Sequence, residues 1–425
     1  MEHKSSDSFF SNIPKTVWML GFVSLFMSAS SVMITILSPI FITTVLGAST
    51  GLAGMIEGIV ESLSSLLKVF SGTVSDKLKK RKFLMVIGYA CATLVKPLFA
   101  LAQSVTWVFT ARIIDRLSNG LRDTPRDALM ADVSPAHIKG QCFGLRTAMG
   151  SMGALTGGVI TFLLVWGLNI DFRTVFWISL IPSSFAVFLL VFFVKDKTSH
   201  QTKNHIVIAE PEFKWSDIAL IPKSFWYLLA IVFVFMLGRF SEGLLVLRAF
   251  DIINHDSSLH TLFLDGNSMS SKISLTCGVM ILMNMCYSGV AYPLGRISDR
   301  FDKRAVLVIG CIALIIGNGF LAIGTSWIHA MFGVMFWGIH MGVVQGLFAS
   351  MVVERAPTHL KGTAFGAFHF FMGFAVLSGN SLAGTLWHTV SPYVAFIMGS
   401  IAVFVAMIMV AFLPKYGKIA KEHAL

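Results

Sequence analysis

Charged residues are scarce in this sequence. Only 13% of its 425 residues are Asp, Glu, Lys or Arg, whereas 55% are hydrophobic and the mean hydropathy is +0.76. Soluble domains carry roughly 25% charged residues. The composition therefore excludes an ordinary soluble enzyme, and it excludes a soluble nucleic-acid-binding protein despite the net charge of +11. It predicts a chain whose main partner is the lipid bilayer.

Other kinds of chemistry are missing as well. The five cysteines form no Cys-x-x-Cys pair and lie in or beside apolar runs, which favours packing roles. No Gly-x-x-x-x-Gly-Lys-Ser/Thr loop is present, so the chain has no sequence signature for ATP hydrolysis. No nucleophile and base, and no set of metal ligands, occur at a recognisable spacing. We therefore expect no enzyme activity, no cofactor and no bound metal.

What the sequence has in abundance is long apolar runs. Runs of about 20 residues cross a ~30 Å hydrocarbon core as helices, and the short alternating segments of a membrane β-barrel are lacking. The first run, 17–46, is too long for the apolar region of a signal peptide. The pattern predicts an all-α membrane protein with twelve transmembrane helices. The predicted spans are 16–45, 51–75, 83–101, 105–131, 140–166, 174–194, 224–250, 273–294, 305–324, 327–353, 363–387 and 391–413.

The basic residues indicate which way the spans run. Most of them lie near the termini and in the loops after spans 2, 4, 6, 8 and 10, whereas the opposite loops contain Arg173 and Lys272. Positive charge in short loops marks the cytoplasmic side, so both termini are predicted to be cytoplasmic. No Asn-x-Ser/Thr acceptor site occurs, which suits a bacterial inner membrane.

Two segments of the sequence recur. Residues 72–77 match 295–300 at an offset of 223, and residues 132–140 match 354–362 at an offset of 222 with a shared Pro, His and Lys-Gly. Two matches at nearly one offset predict two pseudo-symmetric six-helix bundles, with the substrate site between them near the bilayer midplane. The predicted domains are an N-terminal bundle at 1–194, a cytoplasmic linker at 195–223 and a C-terminal bundle at 224–425.

These motifs resemble those of a known family. The repeated Gly-x-x-x-Asp-Lys/Arg segment is similar to the loop motif between spans 2 and 3 of the major facilitator superfamily, with Lys79 and Asp302 where that motif has glycine. Arg116-Leu-Ser-Asn-Gly120 resembles the family's Arg-x-x-Gln-Gly motif. The resemblance implies the twelve-helix fold of a secondary transporter and links Arg116 to proton coupling.

Two further segments refine the resemblance. Residues 153–158 resemble the motif associated with antiporters, with Ala154 in place of its proline. Residues 115–129 resemble a bacterial subgroup of efflux permeases. The resemblance therefore favours export, and it implies a cavity lined by spans 1, 2, 4, 5, 7, 8, 10 and 11.

Ionisable and polar side chains inside the spans are the candidates for this cavity. A charge at the bilayer centre costs about 2.5–3.5 kcal/mol on insertion scales, so its presence suggests a function. The alternatives are structural: Glu57 or Glu61 neutralises Arg112 or Arg116, Arg239 pairs with Glu242 within span 7, and the histidines are packing residues. The candidates for substrate binding are Lys68, Arg112, Arg122, Arg146, Arg239, Asn284, His340 and His369.

Two other groups complete the prediction. A buried carboxylate beside an arginine can titrate as the arginine changes partner, and the candidates for proton coupling are Glu57, Glu61, Asp115, Arg116 and Glu242. Ion pairs at helix ends can lock one conformation and release it in another, and the candidates for this gate are Asp76, Arg81, Arg126, Asp127, Asp299 and Arg304.

The charge balance within the spans suggests the substrate. Basic residues outnumber acidic ones there, with a surplus around Lys68, Arg122 and Arg146, and a buried surplus of cations needs a counter-charge. We therefore predict a monomeric, proton-coupled transporter of a small organic anion, with export favoured. The alternatives are an importer of a nutrient or a metal chelate, such as a siderophore-like polycarboxylate, and a membrane sensor without net flux. The outside loop 251–272 has His and Asp residues and is predicted to be a solvated loop rather than a metal site.

Overall fold

The structure is a computed structural model, and every regular element among the residues that it describes is a helix. It describes residues 13–78, 81–135, 138–194, 221–258, 268–298, 302–344, 347–356 and 361–414. Within these ranges the side chains of 65–66, 68–78, 131, 139–140, 291–298, 353 and 361–363 are not described. The predicted linker, 195–223, lies almost entirely outside the described residues.

The described helices are numbered in chain order. They are α1 (Lys15–Thr44), α2 (Thr50–Leu78), α3 (Arg81–Leu94), α4 (Lys96–Ala100), α5 (Val105–Val133), α6 (Lys139–Gly167), α7 (Phe172–Phe193), α8 (Lys223–Gly238), α9 (Glu242–His255), α10 (Met269–Ser298), α11 (Lys303–Ile323), α12 (Trp327–Val344), α13 (Leu347–Arg355), α14 (Lys361–Thr389) and α15 (Pro392–Ala411).

Ten helical segments of the described chain are long and apolar enough to cross a membrane. The helices α2 and α5, each 29 residues long, are equally long but less apolar. These two contain the charged residues that the sequence singled out, among them Glu61 and Arg116. Together with the ten apolar segments they complete the twelve predicted spans, and the predicted fold class is confirmed.

The two bundles repeat their ion pairs as well as their helices. At the start of α3, Arg81 forms an ion pair with Asp132 at the end of α5. At the start of α11, Lys303 pairs in the same way with Glu354 at the end of α13. Both residues of the second pair lie 222 positions after those of the first. The repeat in the sequence is therefore a repeat of three-dimensional contacts.

A second repeated contact joins the last helix of each bundle to the start of the third helical span of that bundle. The Lys82 ammonium donates to the carbonyl oxygen of Val191 over 2.8 Å. Its equivalent Arg304, 222 positions later, donates to the carbonyl oxygen of Leu413 over 2.9 Å. These two basic residues, which follow the repeated loop motif, thus bind the backbone at the C-terminal ends of α7 and α15.

Span 7, predicted as one helix at 224–250, is broken in its middle. The helix α8 ends at Gly238, and α9 begins after Ser241, whose hydroxyl accepts from the Leu244 N–H over 3.3 Å. Side chains from neighbouring helices satisfy the backbone at the break: Asn380 accepts from the Ser241 N–H over 2.8 Å, and Asn318 donates to the Gly238 carbonyl over 3.2 Å. Irregular backbone at membrane depth requires such partners.

The two bundles approach each other unevenly along their length. We call the side where α1 begins and α15 ends the terminal face, and the other side the opposite face. Towards the opposite face α2 lies against α14, so closely that a Cβ atom on Gly384 would lie 2.9 Å from the Gly51 carbonyl oxygen. Towards the terminal face, added Cβ atoms on Gly144 of α6 and Gly289 of α10 would meet no atom within 4 Å. The bundles therefore touch at the opposite face and separate at the terminal face.

The predicted outside loop, 251–272, overlaps helices at both of its ends: α9 continues to His255, and α10 begins at Met269. Asp256 ends the helix, and its carboxylate accepts from the backbone N–H of Trp327 over 2.7 Å. Burial raises the pKa of the Asp256 carboxyl, but hydrogen bonds from Ser258 and Trp327 outweigh it and hold the pKa below its ordinary value. Asp256 is thus a structural residue that joins α9 to the start of α12, while residues 259–267 lie outside the described residues.

Candidate functional site

A small polar cavity lies between the two bundles at the level of the break in span 7. Its volume is about 140 Å³. The N-terminal bundle contributes side chains from α1, α2 and α5, and the C-terminal bundle contributes the break itself. The residues that line it are Thr35, Glu57, Glu61, Arg116, Arg239, Ser241, Glu242 and Gly243. Five of them were predicted as site residues; Thr35, Ser241 and Gly243 were not.

Glu57 anchors one wall of this polar cavity. Both oxygens of its carboxylate accept from one nitrogen, Nη2, of the Arg112 guanidinium of α5, and both side chains are almost fully buried. The ion pair that the structural alternative predicts for these two residues is therefore present. Arg112, predicted to bind substrate, is already bound to Glu57 and does not line the cavity.

Four further charges face one another across the two bundles. Arg116 interacts electrostatically with Glu61 of its own bundle and with Glu242 of the other. Arg239 lies over the Trp337 ring at 6.0 Å from the ring centroid. Arg239 and Glu242 interact electrostatically, but no ion pair at contact distance joins these two described side chains across the break in the helix.

The charges around the polar cavity balance. The carboxylates of Glu57, Glu61 and Glu242 line it. They are matched by Arg116 and Arg239 in the lining and by Arg112 behind Glu57. The surplus of positive charge predicted from the sequence is therefore not found among the described residues of this cavity.

Asp115, predicted as a proton-coupling residue, has a different environment. Its carboxylate lies 3.2 Å from the ammonium of Lys96, deep in the N-terminal bundle, and only 1% of the lysine side chain is exposed. Asp115 does not line the polar cavity. The pair instead joins α4 to α5 next to the kink that Pro97 introduces, because a buried lysine requires a counter-charge.

The other predicted arginines of the N-terminal bundle lie nearer the terminal face. The Arg122 guanidinium lies over the Tyr89 ring at 4.8 Å. Arg146 lies 3.6 Å from Asp127, and Arg126 pairs with Asp127 at 3.1 Å. Both Arg122 and Arg146 therefore have protein partners outside the polar cavity. Arg126 and Asp127 pair with each other within α5, and their role in a gate stays a prediction.

The remaining gate candidates are only partly described. Arg304 pairs at 2.6 Å with Asp302, which also caps α11 by accepting from the Arg304 N–H over 3.0 Å. Asp302 stands where the motif has glycine, so the departure from the motif has a structural role. The side chains of Lys68, Asp76 and Asp299 lie outside the described part of the chain.

The polar candidates of the C-terminal bundle divide into two groups. His340 is buried between the rings of Phe235 and Trp337, at 5.4 and 5.5 Å between ring centroids. His369 lies against the rings of two neighbouring phenylalanines on α14. Neither histidine lines the polar cavity, and the packing interpretation of both fits these contacts. Asn284 lies in a second cavity.

This second cavity, the apolar cleft, lies between α6 and α10 on the terminal-face side. Its volume is about 480 Å³. It opens where the two bundles have separated, and most of its wall is apolar. The residues that line it are Gly144, Thr147, Ala148, Ser151, Met152, Leu155, Asn284, Met285, Tyr287 and Ser288.

The described residues contain no cluster of three or more His, Cys, Asp and Glu side chains that could hold a metal ion. His260 and Asp265 of the outside loop lie beyond the described residues. The polar cavity thus contains only protein carboxylates, guanidinium groups and hydroxyls.

A charged cavity between two repeated six-helix bundles, with a broken helix at its edge, defines the architecture of a secondary membrane transporter. The sequence profile of the Major Facilitator Superfamily matches this chain over residues 19–283 and 270–423. The chain therefore belongs to the Major Facilitator Superfamily, and it is an integral membrane protein of a transporter family.

The chain is similar to known proteins along its whole length. It is 28% identical over 405 residues to an uncharacterized MFS-type transporter of Methanocaldococcus jannaschii, covering 94% of this chain and 95% of that protein. Its fold is similar to a POT family transporter in complex with 5-aminolevulinic acid (TM-score 0.76, 12% identity, 96% and 98% of the two chains). It is also similar to the nucleoside transporter NupG (TM-score 0.68, 16% identity, 94% and 99%). At these identities the two structures support the fold alone.

Proposed function

We propose that this protein is a proton-coupled transporter that moves a small organic anion together with protons. One observation carries the proposal: the polar cavity balances Arg116 and Arg239 against Glu61 and Glu242, and these four side chains come from both bundles. Every charge in the cavity has a counter-charge only as long as the two carboxyl groups remain ionised.

Protonation changes that balance. When Glu61 and Glu242 take up protons, Arg116 and Arg239 lose their counter-charges while the Glu57–Arg112 pair stays neutral overall. An anion then supplies the missing negative charge. Because linkage is reciprocal, an anion bound at these arginines also raises the affinity of the carboxylates for protons. Protons and anion are thus bound together.

This coupling bears on direction. A solute that binds together with protons is driven inward by an inward proton gradient, whereas a solute that competes with protons is driven outward. The sequence favours export, but the balanced cavity supports its alternative, uptake of an anionic nutrient or chelate. A cationic solute would instead displace protons and be exported in exchange for them.

The unequal contact between the bundles supports alternating access. The polar cavity is closed towards the opposite face, where α2 meets α14, and the bundles separate towards the terminal face. With the termini in the cytoplasm, as the basic loops predict, this is the state that faces inward. Rocking of the bundles about the cavity would close the terminal face and open the other.

The test is transport into proteoliposomes with an imposed pH gradient. The panel consists of anions that do not cross lipid as neutral acids: dicarboxylates, tricarboxylates and organic phosphates. We expect uptake of at least one anion when the outside is acidic, with proton movement in the same direction. Arg239→Gln should weaken that anion's affinity by about tenfold or more, because a hydrogen bond to a charged group contributes about 1.5–3 kcal/mol.

Two variants separate coupling from folding. Glu242→Gln should leave anion binding possible while weakening its dependence on pH, because only Glu61 then still takes up a proton. The matched control is Glu354→Gln, a carboxyl group at the end of α13 far from the polar cavity, which should retain the pH dependence. Expulsion of a lipophilic cation in exchange for protons, with no anion moved, would contradict the proposal, and binding without flux would favour a sensor.

A further inference from the structure

We infer that the transported anion is amphipathic: its charged head occupies the polar cavity and its apolar body occupies the apolar cleft between α6 and α10. This inference rests on the proposed function, since it assigns the head to Arg116 and Arg239. It adds the chemical class of the rest of the molecule.

The apolar cleft has the size and lining of a small-molecule site. Its volume of about 480 Å³ lies within the range of about 300–1,000 Å³ that is usual for such sites. Met152 and Leu155 of α6 face Met285 of α10 across it. Met152 and Met285 are more than half exposed although they lie in the gap between bundles. Flexible methionine side chains suit an apolar partner of variable shape.

Tyr287 connects the apolar cleft with the polar cavity. Its side chain lines the cleft, and its hydroxyl interacts electrostatically with Glu242 and Arg239 of the polar cavity and with Arg146 of α6. A tyrosine presents an apolar ring and a polar tip, which suits the boundary between an apolar and a charged compartment. A solute whose head meets Arg239 therefore has the cleft as its adjoining space.

The position of the cleft between the bundles gives it a place in the transport cycle. One wall belongs to the N-terminal bundle and the other to the C-terminal bundle. Farther along the same two helices, towards the opposite face, the walls are in contact: an added Cβ atom on Gly158 would lie 2.9 Å from Ile281. The apolar body of a bound solute would thus contact both bundles, as its charged head in the polar cavity does.

The experiment measures equilibrium binding of a homologous series to the full-length protein in detergent solution at acidic pH. The probes are straight-chain carboxylates of two to eight carbons, with calorimetry as the readout. Burial of one methylene group is worth about 0.8 kcal/mol, so we expect affinity to rise roughly fourfold per carbon until the cleft is filled. Ala148→Trp, which fills the cleft from α6, should abolish this gain and leave the shortest carboxylates unaffected.

Two further variants make the result decisive. Leu163→Trp places the same tryptophan side chain on α6 at a position that is 51% exposed and outside the cleft, and it should retain the full gain with chain length. Gly144→Phe fills the cleft at a second position where an added Cβ atom meets nothing within 4 Å. It should also abolish the gain with chain length, and it replaces Ala148→Trp as the test if Ala148→Trp misfolds.

The outcomes distinguish this inference from the proposed function. Carboxylates that bind with proton uptake but without any dependence on chain length would overturn the amphipathic class and leave the anion transporter intact. A gain with chain length that persists in both cleft-filled variants would overturn the assignment to the cleft, since it would arise from the detergent. If no carboxylate binds at any length and no anion is transported, the proposed function fails and this inference fails with it.

Discussion

Glu57 of α2 holds Arg112 of α5 in a buried ion pair, and its carboxyl group also lies against Gly243 of the other bundle. One side chain therefore links the packing of the N-terminal bundle to the contact between the bundles. Gly243 lies in the first turn of α9, where the aligned backbone dipoles carry partial positive charge. The carboxylate thus has favourable electrostatics on both sides.

The first prediction concerns this ion pair. Arg112→Leu alone leaves a buried carboxylate without its partner and should lower the free energy of unfolding by about 3–5 kcal/mol. The double variant Glu57→Leu with Arg112→Leu should recover most of that loss, because two apolar side chains replace two buried charges. Thermal unfolding in detergent measures both. A double variant no more stable than Arg112→Leu would show that the loss does not arise from a buried carboxylate left without its partner.

The second prediction separates Asp115 from Glu61. Asp115→Asn removes the counter-charge of the buried Lys96 and should lower the melting temperature while the ratio of protons to solute stays unchanged. Glu61→Gln should lower the ratio of protons to solute and leave the melting temperature unchanged, because Glu61 lines the polar cavity. Proton flux and solute flux measured together in proteoliposomes give the ratio. If Asp115→Asn instead lost proton coupling at unchanged stability, Asp115 would be a coupling residue and not a structural one.

The third prediction concerns the close approach at Gly243. An added Cβ atom there would collide with the Glu57 carboxyl group, so Gly243→Ala should hinder closure of the opposite face. We expect slower transport and faster labelling of a cysteine placed at position 53, where Ala53 is fully buried in α2. Gly278→Ala is the matched control, since an added Cβ atom at Gly278 meets nothing within 4 Å. Equal labelling in the two variants would argue against a closing contact at Gly243.

The fourth prediction tests the movement of the bundles. Ser151 of α6 and Ser288 of α10 line the two walls of the apolar cleft, so cysteines at both positions should form a disulfide under oxidising conditions when the terminal face closes, and hold that face closed. Transport should stop on oxidation and return on reduction. Protein with cysteine at position 151 alone, which retains the five natural cysteines, is the control. Undiminished transport with the disulfide formed would show that the terminal face does not need to open.

Much of the fold follows from local properties of the sequence. A span requires only length and apolar composition, and the repeat requires only matched residues, so the twelve helices and the two bundles could be predicted. The break in span 7 has a local signal in the sequence, because Ser241 followed by Glu242 is a typical start of a helix. The apolar residues on both sides nevertheless favour one continuous span, which is why the sequence analysis predicts one.

Which charges meet could not be read from the sequence. Glu57 and Glu61 are one turn apart on α2, and Arg112 and Arg116 are one turn apart on α5, so composition and spacing allow either pairing. The rotation and height of packed helices decide it, and these depend on contacts between residues far apart in the chain. For the same reason the surplus of positive charge that the sequence suggested is not found among the described residues of the polar cavity. Arg146, for example, lies 3.6 Å from Asp127 of a neighbouring helix, and a count of charges in the sequence cannot reveal such a contact.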